Sequence, residues 1–394
     1  MGIGSRKEYL AAIRERYRSA GRRAKTAILD EFCANCEYNR KYAIRLLGQR
    51  KRRAPRRRGP TPSYDGPVVA HLKALWRATD QMCGKRLVRA IPEWLPFYEM
   101  EHGTLDPAVR TKLLTLSPAT CDRLLAPVRA RLKSKGKCTT RPGRLLRSVI
   151  PIRPDKATIP EEGTMAEKAT LDRPGFIEAE TVAHCGGSLE GQFAWSITYT
   201  DIQSGWTDNR AVWGHGAKGV VEQTRNMETS LAFPILAFWS DNGTEFLNDH
   251  LWRYFAHRND PIHFARSRPY KKDDNAHVEQ KNWTHVRQLF GYDRIDRPEL
   301  VPPMNEIYRL WRLYQNHWAP ARRLQSKTRI NSRWLKKYDI PTTPYHRLLG
   351  SPHVAKQAKE DLTAVHKTLN PFHLKKEIDQ KLRQLFHDLQ KHEP

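Results

Sequence analysis

Apolar residues recur at helical spacing through the first third of the chain. Tyr9, Leu10, Ile13 and Tyr17 share one face, Ala27, Ile28 and Phe32 a second, and Tyr42, Ala43, Leu46 and Leu47 a third. Asn35 and Glu37-Tyr38-Asn39 break the pattern between the last two. Three helices within residues 1–49, the last two tightly joined, predict a helix-turn-helix domain. Val68, Leu72, Leu75 and Trp76 then mark another helix, and Leu87, Ala90, Ile91, Trp94 and Leu95 the next, across polar 80–84. Ser117 before Pro118 opens a further helix as its N-cap, with Cys121, Leu124, Leu125 and Val128 as its apolar set. Residues 64–133 are therefore expected to form a second helix-turn-helix domain.

The period changes after Pro174. Residues 176–183, 193–200 and 207–213 read as strands, with Ser204-Gly205 as a turn, and 217–231 as a helix. The short aromatic-rich run 233–239 predicts a buried strand. Leu247, Leu251, Tyr254 and Phe255 mark a helix, and 262–264 a last strand. The expected fold class is multidomain: helical N-terminal units, an α/β core over 171–300, and a mixed C-terminal region. That region holds a helix over 304–318 and a basic, aromatic stretch to Tyr338 within 301–350. Two helices over 351–394 follow, separated by Asn370-Pro371.

Charge changes this picture. Sixty-nine Lys and Arg against 42 Asp and Glu give a formal charge of +27, which attracts polyanions, DNA or RNA first. The surplus is concentrated in places. Arg50, Lys51, Arg52, Arg53, Arg56, Arg57 and Arg58 crowd a proline-punctuated run expected to be a linker (50–63) that tracks phosphates. A second linker is expected at 134–170. Arg40, Lys41 and Arg45 fall on the third helix, and Lys85, Arg86 and Arg89 at the start of the second domain's reading helix. All are candidate DNA contacts. No apolar run approaches the length of a membrane span, and residues 1–7 carry no apolar signal core. Six scattered cysteines do not form a disulfide framework. Cys33-x-x-Cys36 has no partner pair nearby, so it reads as buried helix cysteines rather than zinc ligands. The expectation is a reduced cytoplasmic protein associated with the bacterial nucleoid.

Two runs carry candidate chemistry. Asp241 ends the fourth predicted strand, before an Asn-Gly turn, where open α/β sheets place reactive groups. Glu279 sits in a helix expected to begin near Asp274 or Asn275. Two such carboxylates can share a Mg²⁺ ion, which takes oxygen ligands.

Ser240-Asp241-Asn242-Gly243-Thr244-Glu245-Phe246, then Ser267-Arg268-Pro269-Tyr270 and Asp274-Asn275-x-x-Val278-Glu279, resemble the integrase catalytic core of insertion-sequence transposases and retroviral integrases. The resemblance covers roughly 174–297, and 37 residues separate Asp241 from Glu279, close to the family spacing. It implies an RNase H-like fold and a DDE transposase that binds the terminal inverted repeats of an insertion sequence. It further implies two Mg²⁺ or Mn²⁺ ions, 3′-end cleavage and strand transfer into double-stranded DNA, carried out by a homodimer or higher homo-oligomer. Carried over residue by residue, the catalytic and metal-binding set is Glu180, Asp241 and Glu279. The family has Asp where Glu180 stands, and the extra methylene displaces the carboxylate. Glu178, on the same strand face, is an auxiliary candidate. Asp201 is a weaker substitute. His184 either positions a phosphate or water or packs in the core. Arg268, Lys271, Lys272, Asn275 and Lys281 surround Glu279 as candidate DNA contacts; Trp239, Trp283 and Phe290 are expected in the core. Two rivals stand beside this reading: a catalytically impaired DNA-binding regulator, consistent with Glu180, and an RNase H-like nuclease.

If the Arg50–Arg58 run tracks phosphates, neutralising it flattens the slope of log K against log salt for DNA binding, by about one for each phosphate the run no longer neutralises. An unchanged slope in a salt titration would make the run a plain hinge.

Overall fold

The computed structural model describes residues 3–48, 63–130, 173–214, 216–240, 246, 248–266, 276–330 and 333–391. It divides into two compact units, Met1–Ser63 and Tyr64–Pro394.

The first unit contains α1 (Ile3–Ser19), α2 (Arg22–Cys36) and α3 (Arg40–Gly48). Their apolar faces meet around Phe32, Leu47 and Ala43, all fully buried. Cys36 belongs to this core, which leaves it a packing role. The α2–α3 link is three residues long. It turns because Glu37 adopts a left-handed conformation and returns its N–H to the Cys33 carbonyl.

The second unit begins with α4 (Gly66–Ala78), α5 (Gly84–His102), α6 (Pro107–Leu114) and α7 (Pro118–Arg129). Asp65, Asp106 and Ser117 cap three of these through side-chain oxygens. The sheet follows, with β1 (Phe176–Ala183), β2 (Ala194–Asp201) and β3 (Thr207–Trp213). After α8 (Ala217–Glu228) come β4 (Ala237–Ser240), α9 (Asp249–Ala256) and β5 (His263–Arg266). The strand order is β3-β2-β1-β4-β5. The first three strands pair antiparallel, and β4 and β5 join in parallel through helical connections. This mixed α/β arrangement is consistent with the RNase H-like fold.

A helical stretch then runs through α10 (Ala276–Lys281), a π-helical turn (Asn282–Arg287) and α11 (Gln288–Phe290). After it come a 3₁₀ turn (Pro298–Leu300), α12 (Val301–Trp318) and the hairpin β6 (Leu324–Ile330)–β7 (Arg333–Tyr338). α13 (Pro344–Gly350), α14 (Lys356–Thr368) and α15 (Pro371–Gln390) close the described chain. α4, α5 and α7 share one hydrophobic core with α12 and α15, around Trp76, Trp94, Trp311 and Tyr314. Trp94 donates to the Trp318 carbonyl at 3.0 Å and Tyr314 to the Ala78 carbonyl at 2.8 Å. The described part of the 64–133 stretch, 64–130, is thus built into the larger unit. The amphipathic pattern located its helices but could not show that their apolar faces are completed by residues some two hundred positions later.

α12 also covers the outer edge of β3. The Asn305 side chain accepts from Ala211 N at 2.8 Å and donates to Ala211 O at 2.9 Å. Asn316 does the same for Thr207, at 2.9 and 2.8 Å. Each amide imitates one rung of a missing neighbouring strand.

His317 is buried against His366, with the two Nδ1 atoms 3.2 Å apart, and His366 stacks on Tyr345 at 4.3 Å. Loss of water around the ring holds His317 at about 3 and His366 at about 4, each helped by neighbouring imidazoles and, for His317, Arg312. The unfolded chain binds these protons near pH 6.5, so stability falls as pH drops below that value. We expect melting temperature to decline from pH 7 to 5, with up to about 2 kcal/mol lost at His317. A His317→Gln variant should show a shallower decline; an equal slope would assign the loss elsewhere.

Candidate active site

β1 is buried along most of its length, and alternation sorts its side chains. Ile177 and Ala179 enter the core shared with α8 and α9. Phe176, Glu178, Glu180 and Val182 lie on the other face. Phe176 packs there with Trp239 and Ala265.

Glu178 has no exposed surface. A buried carboxylate needs donors, and its Oε2 accepts the Val278 N–H at 3.2 Å. Val278 lies in α10, and by accepting its N–H Glu178 ties that helix to β1. One turn further on, Asn282 donates from Nδ2 to Glu180 Oε2 at 2.7 Å. The Asn282 Oδ1 is buried with no hydrogen-bond partner among the described residues. Glu279 lies between these two anchors and is exposed, while Glu180 is half-buried. Asn282 also begins the π-helical turn, a local widening frequent at functional sites.

The parallel register pairs Ala179 with Ser240, the last residue of β4. The end of β4 therefore lies beside Glu180, and Asp241 is the next residue in the chain. Asp241 itself lies outside the described residues, as do Arg268, Lys271, Lys272 and Asn275, the Arg50, Lys51, Arg52, Arg53, Arg56, Arg57 and Arg58 run, and the 134–170 linker. Among the described residues no group of three or more His, Cys, Asp or Glu is arranged to hold a metal ion. The donor set does suit a hard cation: the Glu180 carboxylate, the unpartnered amide oxygen of Asn282 and the exposed Glu279 are all oxygen ligands.

The other candidates are placed as follows. His184 is fully buried, its Nε2 2.6 Å from Ser196 Oγ, which in turn accepts from Tyr308 at 2.5 Å. Ser196 is left to donate to an unprotonated Nε2, so the imidazole is neutral. Burial, with Arg287 nearby, holds its pKa at about 3. Of the two roles open to His184, this geometry fits packing. Asp201 is also buried, and accepts from Gly175 N, Ser204 N and Ser204 Oγ at 2.8, 2.7 and 2.6 Å. It fastens the turn after β2 to the start of β1, where Gly175 has φ +123° and a side chain would strike the Pro234 carbonyl. Trp239 and Phe290 are buried as expected, but Trp283 is 53% exposed. Helical spacing alone left open which side of the π-helical turn faces outward.

Among the basic candidates, Lys41, Lys85 and Arg89 are exposed. Arg40 pairs with Asp30, and Arg45 lies over the Tyr42 ring at 4.9 Å. Arg86 departs from the expected reading-helix surface. It turns inward and donates to the Pro320 carbonyl, because the start of α5 is held against α7 by Gly84 N bonding Asp122 Oδ1 at 2.8 Å. Lys281 is drawn inward too; loss of water, then Arg86 and Arg347, lower its ammonium pKa to about 7. Sequence reading missed a groove of about 730 Å³ between α8 and α9. Lys218, Arg225, His250, Arg253 and Arg258 line it, with Glu222. These basic residues are scattered along two helices and only the packing gathers them.

No family model matches the chain. It is 36% identical over 349 residues to the uncharacterized protein y4rM of Sinorhizobium fredii (strain NBRC 101917 / NGR234), an alignment covering 88% of this chain and 96% of that protein. The chain belongs to the y4rM family. Among solved structures it is similar to the catalytic core domain of BIV integrase in crystal form I, with 13% identity and a TM-score of 0.28 over 45% of this chain and 96% of that one. Membership of the y4rM family brings no activity with it. No described helix is long and apolar enough to cross a membrane.

The bond to Val278 gives Glu178 a different role from Glu279. Glu178→Ala leaves the Val278 N–H buried without its acceptor and should cost about 1–3 kcal/mol. Glu279→Ala, at an exposed position, should leave stability unchanged. Denaturant unfolding of both variants, with amide exchange across 276–290, decides this; equal stability for Glu178→Ala and the parent would remove Glu178 as an anchor.

Proposed function

We propose that this protein is a DNA transposase of the integrase-like DDE type. It binds the terminal inverted repeats of an insertion sequence, cleaves at their 3′ ends and transfers the strand to target DNA. The observation that carries this reading is the pair of bonds from β1 to the helix of Glu279. They bring a half-buried carboxylate, Glu180, to the same helix as an exposed one, next to the strand end that precedes Asp241. The sequence run around Asp241, and the charge of +27, support a phosphodiester substrate.

In this reading Glu180, Asp241 and Glu279 hold two Mg²⁺ or Mn²⁺ ions, with the Asn282 amide oxygen as a further donor. When bound, such ions clamp the attacking and leaving oxygens of an in-line displacement. The chain's own contribution is positioning. Glu178 ties the helix to β1 through Val278, and Asn282 orients the Glu180 carboxylate by donating to one of its oxygens. The longer reach of Glu180, compared with aspartate, is then set by a bond rather than by strand position alone. Basic surface on α3, on the 50–58 run and at Lys85 and Arg89 supplies affinity for DNA phosphates, with helix-turn-helix reading of the element ends by 1–49 and 64–133. Paired ends call for a homodimer or larger assembly.

A second reading, an impaired DNA-binding regulator of the same element, is favoured by the glutamate at position 180. Incubating the protein with paired element ends, a plasmid target and Mg²⁺ or Mn²⁺ separates the two. Strand transfer should occur, and Glu180→Ala, Asp241→Ala and Glu279→Ala should each reduce it by at least about a thousandfold while end binding stays within about twofold. End binding without any cleavage by the parent would establish the regulator; retained cleavage in any of the three variants would refute the carboxylate assignment.

A further inference from the structure

Arg86 and Lys281, from α5 and α10, line the same cavity as Arg322 at the entry to the β6–β7 hairpin. Its volume is about 320 Å³, at the lower end of the range for small-molecule sites. Gln280, Thr284 and Gln315 add neutral polar groups to its wall.

The charges in this wall do not balance. The described cationic side chains lining it are Arg86, Lys281 and Arg322, and Asp80 is the described carboxylate. Asp80 already faces another cation, with Lys375 Nζ 3.7 Å from its Oδ1. Arg86 gives its Nε to a backbone carbonyl, and Arg322 lies over the Tyr338 ring at 4.6 Å. Neither of these partners carries a full negative charge. Cations drawn partly out of water are stabilised by an anionic partner. Folding has nonetheless brought three of them together from segments nearly 240 positions apart. Such a convergence is stable when an anion completes it.

The chemistry of the donors narrows the anion. Two guanidinium groups offer planar forks suited to the oxygens of a phosphate, and the ammonium adds a point charge. Amide and hydroxyl donors can satisfy the remaining oxygens of a tetrahedral group. A single carboxylate would leave part of this donor set unused.

We propose that the cavity bounded by Arg86, Lys281 and Arg322 is a phosphate-binding site, which takes one phosphate group and so ties α5 and the β6–β7 hairpin to the helix that carries Glu279. The phosphate comes either from a DNA backbone or from free phosphate. This inference concerns binding alone and stands whether or not the carboxylates are catalytic.

The test is titration of the full-length protein with inorganic phosphate at constant ionic strength, followed by calorimetry and thermal unfolding. Saturable binding with a rise in melting temperature is expected. Arg86→Gln and Arg322→Gln should each weaken binding at least tenfold, and Arg383→Gln, at an exposed position on α15 and outside the cavity wall, should not. If Arg86→Gln fails to fold, Arg322→Gln carries the comparison, since its side chain makes no hydrogen bond to Pro320. A short DNA duplex then separates the sources. Competition with phosphate identifies the backbone, and undiminished phosphate binding in saturating duplex identifies free phosphate. A melting shift that chloride reproduces, or equal affinity in the parent and Arg322→Gln, would overturn the site.

Discussion

A buried carboxyl group needs donors, and a buried backbone N–H needs an acceptor. In this protein the two needs answer each other. Glu178 on β1 and Val278 on α10 stand one hundred positions apart, and their bond decides how the helix is set against the strand. The rest of the site inherits that decision. With Val278 held, Asn282 falls one turn further along, against Glu180, and Glu279 is left outward between two fixed points. The glutamate with no surface is thus the structural partner of the one that retains some.

Much of the fold was legible because period and punctuation coincide in the core. β1 and β3 run over the residues that alternation and flanking turns indicated, and Ser117 caps α7 as its position before Pro118 suggested. Directions were harder to read. Helical spacing shows that a face exists, but the partner that covers it is supplied by tertiary packing. Arg86 looked like the start of a reading helix and points into a cavity instead; Trp283 looked like core and lies outside. Both cases concern which way a side chain turns from its helix, and in both the deciding neighbours are remote in sequence. In the candidate site, Glu279 was legible from its motif and Glu180 through the family resemblance, whereas the burial of Glu178 is recorded by no motif.

The surplus of positive charge is also sorted by the fold. Some of it faces solvent on α3 and at Lys85 and Arg89, where long-range attraction to a polyanion is screened by salt. Some lines the groove between α8 and α9, on the sheet face opposite Glu178. Some is drawn inward at Arg86 and Lys281, where screening is weak and position matters more than number. A single net charge thus conceals populations with different physical consequences.

The two asparagines of α12 have a consequence for how the chain is made. Ala211 and Thr207 present their outward backbone groups to Asn305 and Asn316, about one hundred residues later. Until those residues leave the ribosome, β3 is an open edge, able to recruit any passing strand. The sheet is therefore finished by a helix rather than by another strand. A nascent chain halted before Asn305 has every strand of its five-stranded sheet and still no protected border on β3, so the hazard during synthesis lasts as long as the ribosome takes to cross that interval.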